Sequence, residues 1–150
     1  MEKYKSLISD INNVLKPFGF KKSAETFFYN KDNNIGIIDF QKGRSSNATS
    51  TLFTINLGIY SSTLKVFDSF DIKSKPSISD CHWRKRVGFL LPQKQDYWWE
   101  INDKTSLPSL ITEITNTLKE LAIPKIQEYI SDESLEKSWM EGISEGLTEQ

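Results

Sequence analysis

The chain has 150 residues, of which 37% are hydrophobic and 12% aromatic, and its formal net charge is -1. This length suits a single domain with one core, and the hydrophobic content argues against disorder. The near-neutral charge argues against a polybasic nucleic-acid binder, so any charge-driven binding must be local. We therefore expect one domain over residues 1–150.

Cys81 is the only cysteine, so an internal disulfide is excluded. The N-terminus leads into an amphipathic pattern rather than an apolar signal segment. No apolar run approaches the ~20 residues of a membrane-spanning helix. The expectation is a cytoplasmic protein without a membrane span.

The first 60 residues change from helical to strand periodicity. An apolar spacing typical of a helix runs from Tyr4 to Leu15 and stops at Pro17 and Gly19. Residues 26–30 and 35–42 are rich in β-formers and flank a polar turn, which predicts a hairpin. A polar loop at 43–50 precedes the clearest strand, 53–60, in which apolar and polar side chains alternate.

The second half predicts two more strands and then helices. The strands are residues 82–90 and 97–101, joined through Pro92. Thr105 or Ser106 caps a long amphipathic helix that Pro124 should break or kink. A narrow apolar stripe predicts a loosely docked helix within 132–150.

This order predicts an α+β fold: an antiparallel sheet of about five strands flanked by an N-terminal helix and C-terminal helices. Four stretches also carry a family resemblance: DFQK at 39–42, FTINLGIY at 53–60, CHWR through LLP at 81–92, and WWEI at 98–101. They resemble an uncharacterised bacterial family, domain of unknown function 4304, over nearly the whole chain. The resemblance implies an α+β fold and no established activity.

Catalytic and metal-binding patterns are scarce. One histidine and one cysteine cannot form a Cys/His zinc site within a protomer, and we expect no cofactor. Cys81 and His82 would point to opposite faces of a strand, which argues against a nucleophile and base pair. Asp39 and Lys42 resemble a nuclease core, but strand alternation separates them as well. We find no catalytic motif, which favours a non-enzymatic protein and leaves an enzyme open.

Strand alternation predicts one polar face on the sheet. If Phe53, Ile55, Leu57, Val87, Phe89, Tyr97, Trp99 and Ile101 face the core, the opposite face holds Thr54, Asn56, Tyr60, His82, Arg84, Arg86, Trp98 and Glu100, with Gln41 or Lys42. Two guanidinium groups beside an aromatic ring suit a carboxylate, a phosphate or an acidic protein segment. A purely structural alternative pairs Arg84 or Arg86 with Glu100 and covers the face with the C-terminal helix.

Two functions stay open at this point. The first is a non-catalytic binding module that engages a protein partner through the polar face, with toxin immunity as one version by analogy. The second is a small anionic ligand or nucleotide-processing domain with a pocket of Arg84, Arg86, His82 and Asn56. A partner surface should be broad and shallow, whereas a ligand site should be concave. Nucleic-acid binding ranks third, because its basic segment is short, and the sequence leaves the oligomeric state open.

Overall fold

Helix α1 spans Glu2–Leu15 in the computed structural model, which describes residues 2–31, 34–47, 49–61 and 75–131. Its buried side chains are the five that set the helical spacing: Tyr4, Leu7, Ile8, Ile11 and Leu15. A 3-10 turn at Lys16–Phe18 follows, and Gly19 ends it at φ +94°, a left-handed value that favours glycine. The stop predicted at Pro17 and Gly19 is confirmed.

Six described strands form one antiparallel sheet: β1 at Lys21–Ser23, β2 at Thr26–Lys31, β3 at Asn34–Lys42, β4 at Ser50–Ser61, β5 at Trp83–Arg86 and β6 at Trp99–Asn102. Strands β1 to β4 follow each other in chain order. Strand β4 is long enough that β5 and β6 pair with different parts of its outer edge. The predicted α+β fold with an antiparallel sheet is confirmed.

The C-terminal helical region starts with α2 at Leu107–Thr117. A π-helical stretch at Leu118–Ala122 follows, and α3 spans Ile123–Tyr129. Pro124 lies in the first turn of α3. Proline has no N–H to donate to the carbonyl four residues earlier, and its ring clashes with that carbonyl. The wider π turn before Pro124 accommodates the missing hydrogen bond and the ring. The break or kink predicted at Pro124 is therefore a local change from α-helical to π-helical hydrogen bonding.

One face of the sheet carries the main core. Side chains of α1, α2 and α3 pack there against alternate residues of the strands, including Phe40, Phe53, Leu57 and Trp99. Gly36 allows the closest approach, because a Cβ at this position would lie 2.5 Å from Ile126 Cγ2. The three described helices thus cover this face of the sheet.

The opposite face carries a smaller buried cluster of Ile35, Ile37, Tyr60 and Cys81, with Phe28 and Ile78 packed against it. Gly58 lies beneath this cluster. A Cβ on Gly58 would be 2.6 Å from Cys81 Sγ and 3.0 Å from Ile78 Cδ1. The missing side chain lets the segment before β5 fold onto the sheet.

The region around β5 and β6 departs from the prediction. The strand predicted at 82–90 ends at Arg86 and continues as a 3-10 turn, Val87–Leu90. A Cβ on Gly88 would lie 2.5 Å from the Gln95 carbonyl, so this turn packs tightly against the chain that leads into β6. As a result Phe89 is 43% and Tyr97 is 37% exposed, and the prediction that both face the core is wrong.

Two further differences concern short or undescribed segments. Strand β1 has only three residues, and its Lys21-Lys22-Ser23 sequence has no apolar alternation to predict it. The helix predicted within 132–150 lies outside the described residues. Among the helices of the described ranges, none is both long and apolar enough to cross a membrane.

Candidate functional site

The register of three strands places polar side chains on the face away from the helices. Asp39 of β3 pairs with Asn56 of β4, and Gln41 pairs with Thr54. On the other side of β4, Asn56 pairs with Arg86 of β5. Because paired residues of an antiparallel sheet project to the same side, these side chains meet above β4.

A concave site of about 570 Å³, which we call the polar cleft, has its floor formed by Asp39, Gln41, Asn56 and Arg86. Its volume lies within the range of about 300–1,000 Å³ that is usual for small-molecule sites. The described lining residues are Ser23, Thr26, Phe28, Asp39, Gln41, Asn56, Lys75, Pro76, Ser77, Ile78, Ser79, Arg84 and Arg86. The polar face is therefore hollow where β2 to β5 lie side by side.

Residues 75–79 form a wall of the polar cleft that lies outside the sheet. Ser77 and Asp80 cap the short 3-10 turn Ile78–Asp80 reciprocally, with the Ser77 N–H donating to Asp80 Oδ2 at 2.8 Å. Ile78 then packs over Gly58. The wall is held by local capping and by the close approach that glycine permits.

Asn56 is the centre of the hydrogen-bond network in the cleft. Its Nδ2 donates to Gln41 Oε1 at 2.8 Å and more weakly to Asp39 Oδ2 at 3.5 Å. Its Oδ1 accepts from Arg86 Nε at 3.2 Å. Only 8% of Asn56 is exposed, so the amide is fixed by its neighbours rather than by solvent.

Arg86 is held from three directions. Besides the bond to Asn56, its Nη1 donates to Asp96 Oδ2 at 2.9 Å. Its guanidinium carbon lies 5.3 Å from the centre of the Trp98 ring, within cation–π range. The guanidinium is thus oriented before any ligand arrives, which lowers the entropy cost of binding.

Asp39 supplies the carboxyl group of the cleft. Burial raises its pKa above the ordinary value, and the Coulomb repulsion of Glu25 adds to the increase, while hydrogen bonds from Thr26 and Asn56 act in the opposite direction. The Thr26 hydroxyl donates to Asp39 Oδ1 at 2.7 Å. Desolvation is the largest of these effects, so the site favours a neutral Asp39 more than water does.

The charged side chains that line the cleft are mostly cationic: Lys75, Arg84 and Arg86 stand against the single carboxyl of Asp39. Asp96 offsets part of the Arg86 charge from the rim. The whole chain has a net charge of -1, so the excess of positive charge is local to this face. An anionic group is the ligand chemistry that such a lining attracts.

A family model described as "Domain of unknown function (DUF4304)" matches residues 11–128. The chain belongs to this family. The match includes every described residue that lines the polar cleft. No significant match was found among curated proteins or among solved structures.

In this DUF4304 chain, four of the predicted site residues meet in the polar cleft: Gln41, Asn56, Arg84 and Arg86. Trp98 lies beside them through its contact with Arg86. Strand alternation in the sequence was therefore enough to predict the central residues of this face.

The other three predicted site residues lie elsewhere. Lys42 pairs with Phe53 on the helix-covered face, and its Nζ lies 5.5 Å from the centre of the Tyr4 ring. His82 is buried beside Tyr60, and its Nδ1 accepts from the Ser61 N–H at 3.1 Å. Glu100, at the far end of the face, accepts a hydrogen bond from the Ser50 hydroxyl at 2.8 Å.

The structural alternative predicts that Arg84 or Arg86 pairs with Glu100. In the structure the carboxylate partner of Arg86 is Asp96 instead. Asp96 precedes β6 in an irregular segment, so strand alternation could not place it. The wall at 75–79 was missed for the same reason, since its position depends on packing. Thr26 could have been found, because it lies on β2 directly opposite Asp39. Asp39 could have been found, because it shares the strand parity of Gln41.

The side chains of Cys81 and His82 each contact the backbone of another residue. The Cys81 thiol lies 3.6 Å from the Ser77 carbonyl, and burial raises its pKa. The Nδ1 of His82 is directed to the Ser61 backbone. Within the described residues, no group of three or more His, Cys, Asp or Glu side chains could hold a metal ion.

Proposed function

We propose that this domain binds a small anionic ligand in the polar cleft. The observation that carries the proposal is the convergence of Arg84, Arg86 and Lys75 on one concave site of about 570 Å³. A hollow of this size can enclose much of a small molecule, whereas a surface for a protein partner is usually broad and shallow. The ligand chemistry is a phosphate or a carboxylate.

The role we propose is binding rather than catalysis. The described lining contains no histidine and no cysteine. Arg86 is held in place by Asn56, Asp96 and Trp98, which suits recognition of a fixed anion geometry. We further propose that the protein acts in a bacterial cytoplasm, in line with its single cysteine.

A protein partner is the second candidate function, with an immunity-type protein as one version. The observation that favours it is the pair of exposed aromatic side chains, Phe89 soon after Arg86 in the chain and Tyr97 directly after Asp96. Exposed aromatic residues beside arginine are common in the centres of protein interfaces. This candidate requires a second polypeptide whose binding depends on Phe89 and Tyr97.

Isothermal titration calorimetry with inorganic phosphate and with citrate tests the first candidate. We expect wild type to bind at least one of them and Arg84→Gln plus Arg86→Gln to weaken binding at least tenfold, since each lost charged hydrogen bond costs about 1.5–3 kcal/mol. Lys94→Gln plus Lys104→Gln removes two exposed cations outside the cleft and serves as the matched control.

Two results would count against the proposal: absence of anion binding by wild type, or equal losses in both double variants. Native mass spectrometry of protein purified at low salt from its own host separates the two candidates. A small bound mass that the arginine variant loses supports the ligand. A bound polypeptide that Phe89→Ser plus Tyr97→Ser releases, while the arginine variant retains it, supports the partner.

A further inference from the structure

A second hollow adjoins the polar cleft on the same face. It has a volume of about 470 Å³. Its lining residues are Gln41, Lys42, Gly43, Arg44, Ser45, Leu52 and Trp98. We call it the aromatic hollow. Gln41 lines both sites, so the two are neighbours with one shared side chain.

Strand alternation explains why the two sites are continuous. On β3 Gln41 has the same parity as Asp39, and Gly43, just past the end of β3, continues it. On β4 Leu52 has the same parity as Asn56. Beyond the end of β3, the Gly43 N–H still donates to the Leu52 carbonyl at 2.7 Å, which keeps the two chains together. The floor of the cleft therefore runs on directly into the floor of the hollow.

Gly43 helps to keep the aromatic hollow open. A Cβ on Gly43 would lie 3.3 Å from both Trp98 Cζ3 and Leu52 Cβ. Without that atom, the indole edge and the leucine side chain border a space at the end of the sheet. The apolar part of the hollow thus depends on three residues: Gly43, Leu52 and Trp98.

Asp96 couples the hollow to the cleft. One carboxylate oxygen, Oδ2, accepts from both Arg86 Nη1 at 2.9 Å and Trp98 Nε1 at 3.1 Å. The guanidinium and the indole are therefore oriented by the same acceptor, and they also contact each other. An anion site and an aromatic surface are thereby fixed in one relative arrangement.

We propose that the ligand carries an aromatic ring next to its anionic group. The anion binds in the polar cleft at Arg86, the arginine that contacts Trp98, and the ring packs against Trp98 and Leu52 in the aromatic hollow. Aryl phosphates, nucleotides and aromatic carboxylates share this chemistry. The inference rests on the proposed function, because it names the ligand class of the same site.

Calorimetric titration with paired probes tests this inference. The pairs are inorganic phosphate against phenyl phosphate, and acetate against benzoate. In wild type we expect the aromatic member of at least one pair to bind five- to tenfold more tightly than its ring-free counterpart, because aromatic packing of this kind contributes about 1 kcal/mol or more. The pair that shows the advantage distinguishes a phosphate from a carboxylate.

Trp98→Ala and Leu52→Ala should each remove most of that advantage. Leu52→Ala is the more selective variant, because Trp98 also contacts Arg86, whereas Leu52 borders the hollow and does not line the cleft that holds Arg86. Leu107→Ala, a half-buried leucine in the first turn of α2, is the matched control and should keep the advantage.

The outcomes separate the two proposals. If the ring-free anions bind through Arg84 and Arg86 but neither aromatic probe gains affinity, the aromatic inference is overturned and the anion site stands. The aromatic inference is also overturned if the advantage survives both Trp98→Ala and Leu52→Ala. If no probe binds at all, the proposed function fails and the inference fails with it.

Discussion

Asn56 and Arg86 lie opposite each other in the pairing of β4 with β5, and the Arg86 Nε–H donates to Asn56 Oδ1 at 3.2 Å. The same amide donates to Gln41 on the other side of β4. One buried side chain therefore joins three strands and sets the position of a cationic group. The stability of the sheet and the geometry of the polar cleft depend on the same hydrogen bonds.

Asn56→Ala is expected to lower both the free energy of unfolding and the affinity for anions. The loss of stability should be about 1–3 kcal/mol, because Gln41, Asp39 and Arg86 each lose a partner in a partly buried place. Urea unfolding followed by fluorescence measures the first effect, and phosphate titration measures the second.

Asn13→Ala is the control for that experiment. Asn13 is exposed on α1, and its replacement should change stability by less than ~0.5 kcal/mol. Equal effects of the two substitutions would contradict the central role of Asn56. An unchanged phosphate affinity in Asn56→Ala would show that Arg86 is held well enough by Asp96 and Trp98 alone.

Asp39→Asn should change the pH dependence of stability. Burial raises the folded-state pKa of Asp39 above its ordinary value of 3.8, so the folded protein binds this proton more tightly than the unfolded chain does. The stabilisation from protonated Asp39 is complete below the ordinary pKa and is lost as the pH rises through the folded-state pKa. Wild type should therefore lose stability relative to Asp39→Asn across this window.

Urea unfolding of both proteins between roughly pH 3 and 7 measures the difference. The free energy of unfolding of wild type minus that of Asp39→Asn should fall as the pH rises just above 3.8 and become constant at higher pH. An opposite slope, with wild type gaining stability relative to the variant as the pH rises, would mean that the bonds from Thr26 and Asn56 outweigh burial. Asp103→Asn, at an exposed position outside the polar cleft, is the control for the loss of one carboxylate.

Gly58→Ala should destabilise the protein by about 1–3 kcal/mol and disturb the wall of the polar cleft. The new methyl group would lie 2.6 Å from Cys81 Sγ, so the segment that carries Ile78 must move away from the sheet. Adding Cys81→Ala removes the closest atom and should recover part of the loss. Chemical denaturation and phosphate titration provide the two measurements.

Gly36→Ala offers a comparison on the other face. Its methyl group would lie 2.5 Å from Ile126 Cγ2, on the helix side of the sheet. We expect a similar loss of stability with an unchanged affinity for anions. If Gly58→Ala also left the affinity unchanged, or if Cys81→Ala brought no recovery, the steric explanation would be wrong.

Much of the fold could be predicted because β3 and β4 have regular alternation. Every second residue of β4 from Phe53 to Ile59 is buried against the helices, so parity alone placed Asn56 and Gln41 on the other face. The same rule placed Arg84 and Arg86 beside them. Where the chain follows a regular strand, the candidate site was predictable.

Strand alternation no longer predicts the direction of a side chain where the chain leaves the strand. The sequence predicts Phe89 and Tyr97 to be buried, but Phe89 lies in the 3-10 turn after Arg86 and Tyr97 in the irregular segment before β6, and both are exposed. His82 has the parity of the polar face, yet it lies at the end where Tyr60 buries it. The wall at 75–79 depends on contacts over Gly58, which no local pattern encodes.

Cys81 should react slowly with a thiol reagent in the native protein. Only 4% of the residue is exposed, and burial raises the pKa of its thiol, so little thiolate is available at neutral pH. Labelling with a disulfide reagent should be slow without denaturant and should reach one thiol per chain in concentrated urea. Gly58→Ala should accelerate the native reaction, because its methyl group displaces Cys81. Rapid labelling of native wild type, at the rate of a free thiol, would mean that the segment over Gly58 opens readily and that the wall of the polar cleft is not a fixed part of the site.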